Sequence, residues 1–218
     1  MDGTPPTVFV VDDDTGVRGA LARLLRALGL SVETFASGRE FLRCQAPEGP
    51  ACIVLDVRLA GENGLVLQDA LRTAARRLPV IFLTGHGTVP LCAQAMKAGA
   101  VDFLLKPVEE QALLEAVVRA LEKDRGTRDA QRHHAVLVRR VTTLTPRERD
   151  VMALVVTGLL NKQIADALGA SEKTIKVHRA RVMQKMHAIS VADLVRMADK
   201  VGMGAGQASP LQPALAAG

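Results

Sequence analysis

The side chains with most chemistry to offer stand directly after short apolar runs. Asp12-Asp13-Asp14 follows Val8-Phe9-Val10-Val11, Asp56 follows Ala51 to Leu55, Thr84 follows Val80 to Leu83, and Lys106 follows Val101 to Leu105. Carboxylates set side by side repel and raise one another's pKa unless a cation lies between them. Hard oxygen ligands of this kind suit Mg²⁺, which keeps several waters and engages phosphate. An Asp carboxylate can also take a phosphoryl group as an acyl phosphate, provided that positive charge neutralises the equatorial oxygens. The set reads as a metal-dependent phosphoryl site, with Asp56 as nucleophile, Lys106 as the ammonium and Thr84 as a hydroxyl donor to a phosphoryl oxygen. A lone Asp after a strand is commonly a turn or helix-cap residue, and Asp14 and Thr15 also fit that plainer role.

These residues converge only if the apolar runs are strands of one sheet. The runs at 8–11, 51–55 and 80–83 are rich in β-branched residues and uninterrupted, as in strands buried on both faces, and helical patterns separate the runs. Thr15 can cap a helix with Val17, Leu21, Leu24, Leu25 and Leu28 on one face and Gly29 as its stop. Ser31 to Phe35 begins a second strand, helices are expected at about 65–77 and 89–98, and Val101 to Leu105 is the fifth strand. Strands alternating with helices imply an α/β fold, a doubly wound five-stranded parallel sheet of the flavodoxin-like kind. Such sheets bind ligands at the carboxyl ends of their strands.

At these residues the chain resembles the receiver domain of bacterial two-component response regulators. The resemblance rests on Val10-Val11-Asp12-Asp13-Asp14, on Leu55-Asp56-Val57-Arg58 with Gly64 eight residues after the Asp, on Leu83-Thr84-Gly85-His86-Gly87, and on Ala98 to Pro107. It implies a phosphoacceptor at Asp56 and a metal held by Asp12, Asp13, Asp56 and the backbone carbonyl of Arg58. It also implies a sensor histidine kinase as phosphodonor, and a switch in which Phe103 turns inward as the Thr84 hydroxyl swings towards the phosphoryl group. One departure stands out: Ala60 replaces the Pro usual four residues after the phosphoacceptor. A fixed φ angle is lost there, and the Ala60 to Gly64 loop should be more mobile.

The rest of the chain reads as helical. Residues 1–122 carry 12 Lys+Arg against 15 Asp+Glu, whereas 123–218 carry 16 against 8, so an acidic part precedes a basic one suited to a polyanion. Thr145-Pro146-Arg147-Glu148 forms a capping box with Pro at the first helical position, ahead of Val151, Leu154 and Val155. Asn161, Ser171 and Ser190 can cap three further helices. Helices at 161–168 and 172–186, joined by Gly169-Ala170-Ser171, have helix-turn-helix spacing. On the second of them Ile175, Val182 and Met186 form the core stripe. Lys173, Lys176, Val177, Ala180, Arg181 and Gln184 face outward, a cationic surface with small apolar groups suited to the major groove.

Leu144 to Glu148, Gly158 to Ala165 and Ser171 to Met186 resemble the LuxR-type helix-turn-helix. By that resemblance Lys176 and Val177 meet base edges, Lys162, Thr174, Arg179 and Arg181 meet phosphates, and Asn161 joins the DNA-contacting set. Residues 190–201 supply a dimerising helix. His178 points inward as a structural residue, and His133 with His134 makes no metal set.

Together the two parts resemble the NarL/FixJ class of response regulators. The expected organisation is a receiver at 1–122, a linker at 123–141 into which helix could extend, the DNA-binding domain at 142–201 and a disordered tail at 202–218. The implied function is a transcriptional regulator controlled by phosphorylation, which dimerises and binds double-stranded promoter DNA, with RNA polymerase as a further partner. It would not be a turnover enzyme. Two other readings compete: a constitutive DNA-binding regulator with an inactive receiver, and a haloacid-dehalogenase-like phosphatase. The phosphatase pattern needs Thr or Val where Gly16 stands. No apolar stretch approaches the roughly 18 residues of a membrane span. Cys44, Cys52 and Cys92 lack metal-ligand spacing and suit reduced thiols, so the expected compartment is the cytoplasm. With no Tyr or Trp, the usual aromatic platforms for single-stranded nucleic acid are absent.

Overall fold

The computed structural model describes residues 5–45, 47–59, 61–73, 78–85 and 87–204. Ala60, His86, the expected helix end at 74–77 and most of the expected tail, 205–218, lie outside the described residues. Two compact units divide at Asp129 and Ala130.

The first unit begins with β1 (Thr7–Val11), α1 (Thr15–Ala27), β2 (Ser31–Phe35), α2 (Gly38–Arg43) and β3 (Ala51–Asp56). Next come two short strands, β4 (Arg58–Leu59) and β5 (Glu62–Asn63), then α3 (Gly64–Thr73), β6 (Val80–Thr84), α4 (Val89–Lys97) and β7 (Asp102–Leu105). Five strands form one parallel sheet, as expected from the alternating pattern, and its order is β2-β1-β3-β6-β7. The chain winds outward from β1 to β2, then returns to add β3 and the later strands on the other side. The direction reverses between β1 and β3, so a crevice opens at their carboxyl ends.

Successive side chains of a strand point to opposite faces, which explains why β1 is apolar from Val8 to Val11. Val8 and Val10 pack with Leu21 and Leu25 of α1 on one face, whereas Phe9 and Val11 pack with Phe41 of α2 and Leu67 of α3 on the other. Both sides of β1, β3 and β6 are thereby withdrawn from water, the main driving force for this architecture.

Local details differ from the sequence expectations at several points. Asp14, not Thr15, caps α1: its Oδ1 accepts the N–H groups of Gly16 at 2.7 Å and Val17 at 3.0 Å. Those bonds lower the Asp14 pKa. Helix α2 has no counterpart among those expectations. Ser37 Oγ accepts the Glu40 N–H, and Glu40 Oε2 accepts the Ala36 N–H, so six residues suffice to bury Phe41. Strands β4 and β5 pair antiparallel, which gives the flanks of the Ala60 loop a defined ladder.

Helix α5 (Glu110–Thr142) is continuous for 33 residues and runs through the boundary between the units. Its first turns bury Leu113, Ala116, Val117 and Ala120 against α1 and the sheet. Residues 130–136 are all exposed. The charged stretch after Lys123 is therefore helical, and Gly126 is accommodated within it at a cost of about 1 kcal/mol relative to Ala.

The second unit continues with α6 (Pro146–Val156), α7 (Asn161–Leu168), α8 (Glu172–Met186) and α9 (Val191–Lys200). Its core gathers Leu144, Val151, Val155, Ile164, Ile175, Val182, Met186 and Leu194. The capping box of α6 is present in full, with Thr145 as N-cap and Glu148 returning the bond. Ser171 caps α8 and Ser190 caps α9. Asn161, however, is the first helical residue of α7, and the N-cap position falls on Leu160, which offers no side-chain acceptor. Gly169 takes the left-handed conformation, with φ of 60°, that lets α7 stop and α8 begin three residues later.

Candidate functional site

The ends of β1 and β3 bring three carboxylates together. Asp12, Asp13 and Asp56 each offer an oxygen, and these oxygens lie within 4.8 Å of one another. Asp12 is 1% exposed and Asp56 9%, so the charges are held largely out of water, and Asp13 faces solvent. Lys106, just beyond β7, brings its Nζ to 2.6 Å from Asp12 Oδ2 and 2.5 Å from Asp56 Oδ2. Burial pulls the Lys106 pKa down, but its bonds to Asp12 and Asp56 and their charge outweigh this and leave it raised.

The remaining carboxylate oxygens are tied to backbone. Asp12 Oδ1 accepts the Asp14 N–H and Asp56 Oδ1 accepts the Arg58 N–H, both at 2.9 Å. These bonds fix the directions in which the acids point. Arg18 Nη1 donates to the Asp12 carbonyl at 2.7 Å and holds the turn after β1 from the side of α1. All-oxygen donors clustered at this distance fit a hard divalent cation. Among the described residues this is the one such acidic or His/Cys group, and His133 and His134 do not form another; His134 Nδ1 instead lies 2.9 Å from the Lys200 carbonyl.

Thr84 closes β6, beside the strand that carries Asp56, and is buried. The Lys106 N–H donates to the Thr84 carbonyl at 2.8 Å, so the hydroxyl-bearing residue and the ammonium-bearing residue are held in register. Phe103 pairs with Phe82 across the sheet, its ring centroid 6.4 Å from that of Phe82, and is half-buried. The loop after β6 lies against it: a Cβ on Gly87 would come within 2.5 Å of Leu105 Cδ2 and 3.2 Å of Phe103 Cε1. Gly64 is as tight and less able to yield, because a Cβ there would stand 2.5 Å from the backbone oxygen of Asp56.

A buried acid far from this edge has no counterpart among the expectations from sequence. Asp124 of α5 is 3% exposed and accepts the Ala51 N–H at 2.9 Å and the Arg128 Nε–H at 2.5 Å. Arg128 also donates to the carbonyl of Pro47 at 3.0 Å. The clasp ties α5 to the start of β3, the strand that ends at Asp56. Its sequence signal was no more than an Asp and an Arg four residues apart, the spacing of a helical ion pair.

In the second unit the outer face of α8 is as expected. Lys173, Lys176, Val177, Ala180, Arg181 and Gln184 are exposed or half-exposed, and Ile175, Val182 and Met186 are fully buried. Lys162 is exposed on α7. Thr174 is held at the start of α8, where its N–H donates to Ser171 Oγ and the two hydroxyls lie 2.8 Å apart. Arg179 is half-buried and donates to Asn161 Oδ1 at 3.0 Å, so two residues expected to face DNA brace α7 against α8. His178 has its Nδ1 enclosed and lacking a hydrogen-bond partner, in keeping with its inward placement. The buried Glu148 binds Lys185 Nζ at 2.6 Å; that bond, then the Thr145 N–H, holds its pKa below the ordinary glutamate value.

A doubly wound sheet with an acid cluster and a lysine at its switch point, followed by a helix-turn-helix, defines a receiver-type regulator. Comparisons with known proteins agree. Residues 8–118 match the response regulator receiver domain family, and residues 142–198 match the bacterial regulatory proteins of the luxR family. Nodulation protein W of Bradyrhizobium diazoefficiens is 49% identical over 96% of this chain and 92% of its own length. The transcriptional regulatory protein FixJ of Azorhizobium caulinodans is 43% identical over 90% of this chain and 93% of its own length. Among solved structures, response regulator StyR superposes with a TM-score of 0.81 at 46% identity, covering 90% of this chain and all of that one. The chain belongs to the two-component response regulators of the NarL/FixJ class. Among the described residues, no helix is long and apolar enough to cross a membrane.

Proposed function

We propose that this transcriptional response regulator is switched by phosphorylation of Asp56. The observation that carries the reading is the Lys106 ammonium seated between the carboxylates of Asp12 and Asp56, next to the exposed Asp13. Asp12, Asp13, Asp56 and the carbonyl of Arg58 would hold Mg²⁺, which supplies charge neutralisation for the incoming phosphoryl group. An oxygen of Asp56 attacks the phosphorus of a phosphohistidine on the sensor kinase; the P–N bond breaks as the O–P bond forms, and the imidazole leaves. Lys106 releases its bond to the Asp56 oxygen and pairs with a phosphoryl oxygen, and the Thr84 hydroxyl donates to another. Phe103 then follows Thr84 inward. The transfer is stoichiometric, so the protein is a phosphoprotein switch and not a turnover enzyme.

The output is DNA binding by a homodimer. Rearrangement around Thr84 and Phe103 alters the surface from Val89 to Lys106, which presents Val89, Met96 and Leu105 to solvent and is suited to a second receiver. The DNA-binding domain spans 142–201, with 123–141 connecting it to the receiver. Lys176 and Val177 meet base edges. Lys162, Thr174 and Arg181 meet phosphates, and Asn161 and Arg179 set the angle between α7 and α8 beside the backbone. Residues 190–201 pair the two DNA-binding domains, and two-fold symmetry calls for a pseudo-palindromic site. This work belongs at cytoplasmic promoters, with RNA polymerase as the further partner.

The test combines oligomeric state and selection from a degenerate duplex pool, in Mg²⁺, with and without beryllofluoride as phosphoryl mimic. A dimer that selects a symmetric sequence only with the mimic, and loses that gain in Asp56→Asn, supports the reading. Equal binding without the mimic would show a receiver that does not control output.

A further inference from the structure

We propose that Glu172 sets the sequence selectivity of α8, by holding Lys176 off the phosphate backbone and by accepting a hydrogen bond from a cytosine amino group in the major groove. The proposal rests on the reading of α8 as the DNA-contacting helix. Glu172 is the first residue of α8 and its single acid, among Lys173, Lys176, Arg179, Arg181 and Lys185. Its Oε1 lies 3.2 Å from Lys176 Nζ, one helical turn on. The Glu172 and Lys176 side chains are 49% and 63% exposed, so the pair stands in solvent and leaves the core stripe of Ile175, Val182 and Met186 untouched. This separates it from the Glu148–Lys185 pair, where a buried acid secures the domain from within.

An exposed carboxylate beside five cations has two consequences on a polyanion. Every phosphate repels it, and the lysine it engages is withdrawn from non-specific contacts, so binding to arbitrary sequence weakens. Residues at the amino end of a recognition helix reach base edges, and there a carboxylate, an acceptor only, finds its complement in the N4 amino group of cytosine. Where cytosine is present, Glu172 exchanges Lys176 for the base, and Lys176 is released to its own contact. Guanine, thymine and phosphate offer the acid no donor, and at adenine the N6 amino donor stands beside the N7 acceptor, which repels a carboxylate.

The experiment uses the full chain with Mg²⁺ and beryllofluoride, comparing wild type, E172Q and E172D. Each is put through selection from a degenerate duplex pool, and through a salt titration on an unrelated duplex. E172Q should bind the unrelated duplex about three- to tenfold more tightly at low salt, with the slope of log K against log salt steeper by about 0.9 per protomer for one added phosphate contact. It should also lose a cytosine preference at one position of each half-site. E172D, which keeps the charge, should retain the wild-type salt slope. A role limited to helix stability would move neither the selected sequence nor the slope. If wild type selects a site and E172Q selects the same site with the same slope, the proposal is overturned alone. If wild type selects no duplex, the DNA-binding reading fails and takes the proposal with it.

Discussion

Replacing Gly64 by alanine sets two magnitudes against each other. Gly64 opens α3, and in an ordinary helix Gly→Ala stabilises by about 1 kcal/mol. Here the new methyl would stand 2.5 Å from the Asp56 carbonyl oxygen and 3.2 Å from both Phe82 Cε1 and Val57 Cα. A relaxed carbon-to-oxygen contact needs roughly 3.3 Å or more, so about 0.8 Å must come from backbone movement. Backbone cannot yield as a flexible side chain does, and overpacking of this kind costs about 1–3 kcal/mol. The Gly64 N–H bond to the Val57 carbonyl, 2.9 Å long, lies in the same contact. The net expectation is a loss of about 0–2 kcal/mol after the propensity gain is subtracted. Because the displaced oxygen belongs to Asp56 itself, phosphorylation by a small-molecule donor should slow by about 10-fold or more. Gly126 provides the matched control. It lies within α5, and a methyl added there would meet nothing within 4 Å, so Gly126→Ala should stabilise by about 1 kcal/mol. Urea unfolding followed by far-ultraviolet circular dichroism reads both variants without Tyr or Trp. A gain in stability in Gly64→Ala comparable to that of Gly126→Ala, with an unchanged phosphorylation rate, would refute the argument that this glycine is demanded by the Asp56 carbonyl.

Three other perturbations test the electrostatics and the caps. Asp124→Ala would leave the buried Ala51 N–H and the Arg128 Nε–H without their acceptor, and should cost the first unit about 3 kcal/mol in urea unfolding; a loss below about 0.5 kcal/mol would show that the clasp carries no stability. Glu148 has its folded pKa held below the ordinary value of 4.5, so the folded state binds fewer protons than the unfolded one between those two values. Its stabilising contribution is complete above 4.5 and is lost as pH falls through the folded pKa. Hydrogen exchange of the α6 amides should therefore separate wild type from Glu148→Gln by about 1–2 kcal/mol at neutral pH and converge in strong acid. Leu160→Ser supplies the side-chain acceptor that the N-cap of α7 lacks, and should raise the stability of the second unit by about 1 kcal/mol in the same exchange measurement.

What the sequence determined by itself was whatever depends on near neighbours along the chain. Buried strands announce themselves as β-branched runs, and residues placed directly after such runs must reach the same edge of a parallel sheet. For that reason the Asp12, Asp13, Asp56 and Lys106 cluster is legible in the sequence alone. Helix caps are legible for the same reason, at Thr145, Ser171 and Ser190, because a cap bonds within three residues of itself. Where two adjacent residues could both cap, the backbone decided between them and Asp14 displaced Thr15, whereas Asn161 lies one residue too far on, at the first position of α7, where it meets Arg179. Tertiary structure alone decided that the charged stretch after Lys123 continues as helix, since it has no apolar stripe and is anchored by Asp124 reaching Ala51, 73 residues away. It alone showed why Gly64 cannot be replaced freely, because the obstacle is a carbonyl from a different element. Local pattern encodes periodicity and capping, whereas contacts between distant segments depend on how the chain closes on itself, and no spacing in the sequence carries that information.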